Sequence, residues 1–244
     1  MVCRKFGILA LLAPILALQA VAGDPAVPTV RGNNGTSLKG SARLGRNLPV
    51  VGATVRIRPE NDRSRYLLTT TDGKGLLETM ELPDGEYQVT VSKDGLATVT
   101  KSAVTVRYPF RPVVEIEMAP GPATEIPTAA AGSGDALGLT GRILTRDGNP
   151  VPDVTVRLVR LDGAGDPVRL RSGEDGDLST TGLATGSWSV EVRGVGFLSI
   201  RSVMDLDGPV GLVALLVPQP SGYLAPAIDL LPEEQPVPPA GSTP

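Results

Sequence analysis

The sequence contains no histidine at all, and its single cysteine, Cys3, lies at the extreme N-terminus. Without imidazole, a His-ligated zinc site, a Ser-His-Asp triad and a Cys-His pair are all excluded. Aromatic residues make up only 3% of the chain, which limits the flat platforms on which a sugar could stack. No block of like charge stands out. Beyond the N-terminus the best apolar stretch is Val210 to Val217, eight residues bounded by Pro209 and Pro218, whereas a membrane helix needs about 20. No glycine-rich loop followed by Lys-Ser or Lys-Thr is present, so a phosphate loop of that type is excluded too.

What is present starts with an export pattern. Arg4 and Lys5 precede an apolar run from Gly7 to Leu18, and Gln19-Ala20-Val21-Ala22 closes it with small residues. A charged start, an apolar middle and an A-x-A end predict a secretory signal peptide over 1–22. The remaining chain would carry no disulfide, no thiol nucleophile, no thiolate ligand and no lipoprotein cysteine. It would hold 21 basic against 26 acidic residues, a net charge of −5. Mild acidity without a basic patch argues against nucleic acid as a partner. The expected location is secreted or periplasmic, with no membrane span after signal cleavage.

The strongest pattern in the body of the chain is an internal repeat. Val50-Val51-Gly52-Ala53-Thr54-Val55-Arg56-Ile57 matches Val151-Pro152-Asp153-Val154-Thr155-Val156-Arg157-Leu158. Leu82 to Val91 matches Leu183 to Val192, which places Tyr87 opposite Trp188, and Asp94-Gly95-Leu96 matches Val195-Gly196-Phe197. The offset is 101 residues at these stretches, and 103 if Thr71-Asp72-Gly73 is matched to Glu174-Asp175-Gly176. The expected organisation is a signal over 1–22, a disordered lead-in over 23–37, a first domain over 38–118, a Pro/Ala/Gly linker over 119–136, a second domain over 137–218 and a Pro-rich disordered tail over 219–244.

Within each repeat, apolar residues alternate with period two. Ala53, Val55 and Ile57 alternate with Thr54, Arg56 and Arg58, and Trp188, Val190 and Val192 alternate with Ser187, Ser189 and Glu191. Alternation puts one strand face in a core and the other in water. Asp72-Gly73, Pro83-Asp84-Gly85, Asp94-Gly95, Asp147-Gly148, Asp162-Gly163 and Asp175-Gly176 punctuate the runs as turns. The predicted class is all-β: two tandem small antiparallel Greek-key-type β-sandwiches of about seven strands each.

The set Gly40, Gly52 to Val55, Thr70 to Gly73, Leu82 to Val91 and Asp94 to Leu96, echoed in the second repeat from Thr140-Gly141-Arg142-Ile143 onward, resembles the carboxypeptidase regulatory-like domain. That resemblance implies a transthyretin-like sandwich and an accessory, non-catalytic role, beside peptidases, in surface proteins or in polysaccharide-related systems. Related collagen-adhesin domains form a Lys–Asn crosslink. Lys39 has the matching strand, but Val113 to Met118 contains no Asn and the second repeat contains no lysine, so no such bond is expected.

Carboxylate pairs are the remaining enzymatic option. Candidates are Glu78 with Glu81, Glu115 with Glu117 and Asp205 with Asp207, the last pair read as a turn before Gly208-Pro209. Glu174-Asp175-Gly176-Asp177 lacks the ligand spacing of a calcium loop and reads as a hairpin turn. Tyr87 and Trp188 read as core, as do Leu96 and Phe197. Tyr66, Tyr108, Phe110 and Tyr223 are left as exposed aromatics. Of these, Tyr108-Pro109-Phe110-Arg111-Pro112 is the best contact loop, with Tyr108, Phe110 and Arg111 as candidate ligand contacts. No catalytic residue, metal site or cofactor is expected. The predicted function is an exported, non-catalytic structural or protein-interaction module with a protein or polysaccharide partner. A carbohydrate-binding protein of the envelope is the alternative, and a carboxylate-only hydrolase the last.

Overall fold

The computed structural model describes residues 36–45, 47–121 and 137–223. The predicted signal lies outside them, as do most of the lead-in, the linker and the tail. The described residues form fifteen strands and no helix. No helix among them is long and apolar enough to cross a membrane.

The first half contributes β1 (Thr36–Leu44), β2 (Leu48–Pro49), β3 (Thr54–Pro59), β4 (Arg65–Thr70), β5 (Leu76–Leu82), β6 (Gly85–Lys93), β7 (Leu96–Val106) and β8 (Val113–Met118). β5, β1 and β8 pair side by side, with β2 on the end of β1, and β4, β3, β6 and β7 form the facing layer. The predicted alternation holds on the inner face: Leu38, Ala42, Val55, Ile57, Val89, Val91, Val114, Ile116 and Met118 are buried together. The second half repeats this with β9 (Leu137–Thr145), β10 (Thr155–Arg160), β11 (Val168–Arg171), β12 (Asp177–Leu183), β13 (Gly186–Arg193), β14 (Ile200–Leu206) and β15 (Val210–Leu216). Here β12-β9-β15 faces β11-β10-β13-β14. Tyr87 and Trp188 are core residues, and each polar tip reaches the carbonyl four residues back: Tyr87 Oη donates to Pro83 O at 2.8 Å and Trp188 Nε1 to Ala184 O at 3.0 Å.

Several expectations are corrected. The sheets are mixed rather than antiparallel, since β1 pairs β8 and β9 pairs β15 in parallel. The first strand begins at Thr36, two residues inside the expected lead-in. Ala119 to Gly121 are tied to the start of β7, with Ala97 N donating to Ala119 O at 2.9 Å, so the first half runs past 118. Gln219 N donates to Gly196 O at 2.9 Å, which carries order past 218. The 103-residue offset also fails. Thr71 Oγ1 accepts from Ala53 N and bonds Val50 O, as Ser172 Oγ accepts from Val154 N and bonds Val151 O. Gly75 and Gly176, at φ +71 and +72, each lie against the carbonyl of β1 or β9 (Ala42 O and Ile143 O). The position that must be glycine is therefore Gly75, not Gly73, and the offset there is 101, as elsewhere.

The larger departure is that the halves are not separate sandwiches. β15 pairs in parallel with β4, Leu212 opposite Tyr66 and Ala214 opposite Leu68. This fuses two sheets into one of seven strands, in the order β12-β9-β15-β4-β3-β6-β7. β15 is buried at every position. Val210, Leu212, Ala214 and Leu216 join Tyr66 and Leu68 in the second core, whereas Val213 and Leu215 join Leu67 and Leu144 in the first. The first half's four-stranded sheet of β2, β1, β5 and β8 covers one face of the central sheet, and the second half's four-stranded sheet covers the other. Each buried Val or Leu among these residues contributes on the order of 1.5–3 kcal/mol.

Polar groups close the seam. Gly211 N donates to Ser64 O at 2.9 Å and Thr69 Oγ1 to Leu215 O at 3.1 Å. Arg201 N donates to Thr54 Oγ1 at 3.2 Å, and the Arg56 guanidinium to Val203 O. Arg146 reaches from the β9–β10 turn to Thr70 O at 3.2 Å and Asp72 at 3.5 Å. The outer face of β3, expected in water, is thus partly covered: Thr54 is buried, and burial lowers the pKa of the Arg56 guanidinium, partly offset by the nearby Tyr66.

Candidate functional site

The β7–β8 connection is six residues, Arg107 to Pro112, where the equivalent β14–β15 connection is three, Asp207 to Pro209. The extra length belongs to the candidate loop. It is fastened along its length. Tyr108 N donates to Asp84 Oδ1 at 2.9 Å, Phe110 N to Arg107 O at 2.8 Å, and Lys39 N to Pro112 O at 3.1 Å. The Tyr108–Pro109 peptide bond is cis. The backbone is occupied while the side chains are presented: Tyr108 is 58% and Phe110 71% exposed, and Val113, at the start of β8, is 67% exposed. Arg107 and Arg111 flank the rings and are exposed as well. The structure therefore places Tyr108, Phe110 and Arg111 on one short surface loop and adds Val113 and Arg107 to it. Two rings held on a tied backbone beside guanidinium groups can stack on a flat apolar face and donate hydrogen bonds around it.

The other candidates are dispersed. Tyr66 is 1% exposed, because it fills the seam between the halves; its hydroxyl bonds Asp205 O at 3.2 Å, so it is no surface platform. Tyr223 is half-buried beside Gly52. Glu115 and Glu117 point outward from β8, on the face where Ser41 and Arg43 stand opposite. Glu78 forms an ion pair with Lys39 at 2.8 Å. Asp205 lies in β14 rather than in a turn, and it accepts from Ser187 Oγ at 2.6 Å. Asp177 opens β12, where it pairs with Arg142 at 2.7 Å. Among the described residues no cluster of three or more metal-binding side chains occurs.

The residues that the sequence reading missed are those of the seam: Tyr66, Leu68, Arg146, Arg201, Val213 and Leu215. One signal pointed to Val213 and Leu215. An apolar run as short as Val210 to Val217, bounded by prolines, fits a strand buried on both faces better than a helix of about ten or more residues.

Comparison with curated proteins gives no match. Among solved structures the chain is similar to the Bacillus anthracis TIE protein, at 17% identity and a TM-score of 0.28, covering 76% of this chain and 34% of that one. The chain thus spans about a third of that protein's length. It is also similar to the minor pilin of Streptococcus agalactiae, at 12% identity and a TM-score of 0.29, covering 79% and 100%. A mutant of the shaft pilin SpaA from Lactobacillus rhamnosus GG gives 11% identity and a TM-score of 0.30, covering 78% and 100%. A family model matches one stretch of the chain: residues 37–119, which cover nearly all of the described first half, are similar to the carboxypeptidase regulatory-like domain.

Proposed function

We propose that this chain is an exported, non-catalytic structural or protein-interaction module of the cell envelope or extracellular space, built from two copies of the same sandwich. The single observation that carries the reading is the seam. Two halves joined by one seven-stranded sheet form a stiff body, and the candidate contact loop stands out from it on a tied backbone. The match of residues 37–119 to a regulatory-like domain supports an accessory role. The dispersed carboxylates, each exposed or taken up by a neighbour, support a module that works by contact. The test is binding of the chain from Gly23 onward to a panel of glycans and insoluble polysaccharides, alongside crosslinking in the envelope. The reading expects crosslinked protein partners and no specific glycan. Tight, specific binding to a small glycan overturns it.

One observation favours a second reading, carbohydrate binding: Tyr108 and Phe110 are held exposed on the same loop. In that case Tyr108→Ala and Phe110→Ala each weaken polysaccharide retention at least tenfold, and full retention by both removes this loop from consideration.

A further inference from the structure

The seam uses one edge from each half: β15 of the second and β4 of the first. Because the halves share one topology, each has an equivalent edge that is not used. These are β8 and β11, and among the described residues no strand pairs with the outer side of either. A second copy of the chain could in principle dock β8 on β11 just as β15 docks on β4. Repetition of such a head-to-tail contact would be open-ended.

The register shows what stands in the way. Gly40 opposes Val114 in the first half as Gly141 opposes Leu212 in the second. Val114, Ile116 and Met118 therefore correspond to Leu212, Ala214 and Leu216, and Glu115 and Glu117 correspond to Val213 and Leu215. On the other edge, Ile57 opposes Leu67 as Leu158 opposes Val168. Tyr66, Leu68 and Thr70 then correspond to Pro167, Arg169 and Arg171. The four positions that bury Val213, Leu215, Leu68 and Thr70 in the seam carry four exposed charges on the unused edges. The two pairs lie on opposite faces of the would-be sheet, so docking would bury the carboxylates against one core and the guanidinium groups against the other rather than pairing them. Arg171 stands 3.6 Å from Asp153 in an exposed ion pair, and taking exposed charges out of water against an apolar core costs more than so loose a pair returns. Backbone features act the same way. Pro167 has no N–H to offer a neighbour where β4 has Tyr66, and Lys101 Nζ already donates to Glu115 O on the outer side of β8.

We infer that Glu115 and Glu117 on β8, with Arg169 and Arg171 on β11, confine the chain to the single internal seam and keep it from assembling head to tail with copies of itself. The test compares two chains from Gly23 onward, one bearing Glu115→Val and Glu117→Leu, the other Arg169→Leu and Arg171→Thr, by size-exclusion chromatography with light scattering. Each opens one edge only. Each alone is expected to run at the parent's monomeric mass, and their equimolar mixture to form a 1:1 complex of twice that mass. The fourfold variant is expected to give a ladder that lengthens with concentration. The inference is overturned if the parent itself forms the ladder. It is overturned equally if either variant alone self-associates as much as the mixture, or if the mixture stays monomeric while both variants keep the parent's circular dichroism and melting temperature. Should the Val and Leu changes disturb folding, Glu115→Ala with Glu117→Ala, which leaves no polar group to bury, replaces them, and a monomeric mixture there overturns the inference as well.

Discussion

At Glu191, burial alone would push the carboxyl up, but hydrogen bonds from Arg193 and Arg201, both at 2.7 Å, outweigh it and hold the group below the ordinary glutamate range. Arg201 also reaches across the seam to Asp94 at 3.4 Å, so this carboxylate positions a residue that touches both halves. A carboxyl whose folded pKa lies below its unfolded value contributes stability that is complete above the unfolded value and disappears as pH falls through the folded one. Glu191→Gln should therefore cost about 1–2 kcal/mol at neutral pH, with the gap from the parent closing as the buffer is taken well below the glutamate range. Urea midpoints of both proteins across that range measure it, and a gap of constant size would refute the assignment. Phe110 behaves differently. Being mostly exposed, it contributes little to folding, so Phe110→Ala should move stability by no more than about 0.5 kcal/mol. Any partner that uses the loop should lose affinity by about tenfold or more, since an aromatic anchor typically contributes over 1 kcal/mol to binding. Parallel melting and binding curves separate the two effects; a large loss of stability would make Phe110 a packing residue instead.

Among the strands, β15 is the one on which both cores depend. Leu215→Ala removes side-chain volume from the first core although the residue belongs to the second half, and should cost about 2–5 kcal/mol. The structurally equivalent change on the exposed side of β8, Glu117→Ala, should cost under about 0.5 kcal/mol. Urea denaturation of the two variants checks the contrast, and equal costs would mean that β15 does not seal the first core. This asymmetry also marks the limit of what the sequence revealed. Alternation in β3, β6, β10 and β13 was readable because Val55, Ile57, Val89, Val156 and Val190 each repeat at period two with polar neighbours, and the Tyr87–Trp188 equivalence followed from the same pattern. The seam was not readable in that way. Thr54 and Arg56 occupy the polar phase of their strand, yet they lie under β14, since polar groups can be buried when they have partners such as Arg201 N and Val203 O. Tyr66 looked like a free ring because nothing local distinguishes a ring facing water from one facing another half of the same chain. The loop from Tyr108 to Pro112 was legible, because prolines and charges around two rings describe a surface connection without reference to anything distant. Val113 was not, since its strand phase depends on where β8 begins.

Taken whole, the molecule has three layers with a shared middle sheet, and this has a thermodynamic consequence. Two sandwiches of roughly 80 residues joined by a linker would be expected to unfold as two units, each marginal by size. Here neither core is complete without the other half: the first needs Val213 and Leu215, and the second needs Tyr66 and Leu68. The chain should therefore unfold in a single transition, with calorimetric and van't Hoff enthalpies equal. A sharper version uses the segment between the halves. With a protease site inserted within 122–136 and cut in the folded protein, the two fragments should still elute together. Cutting turns the seam from an intramolecular contact into an association between two chains. The melting temperature of the cut protein should then rise with its concentration, while that of the intact protein does not. Fragments that separate on the column, or two resolved transitions in the intact chain, would mean that the seam is too weak to unite the halves. The stiffness on which the proposed structural role rests would be lost with it.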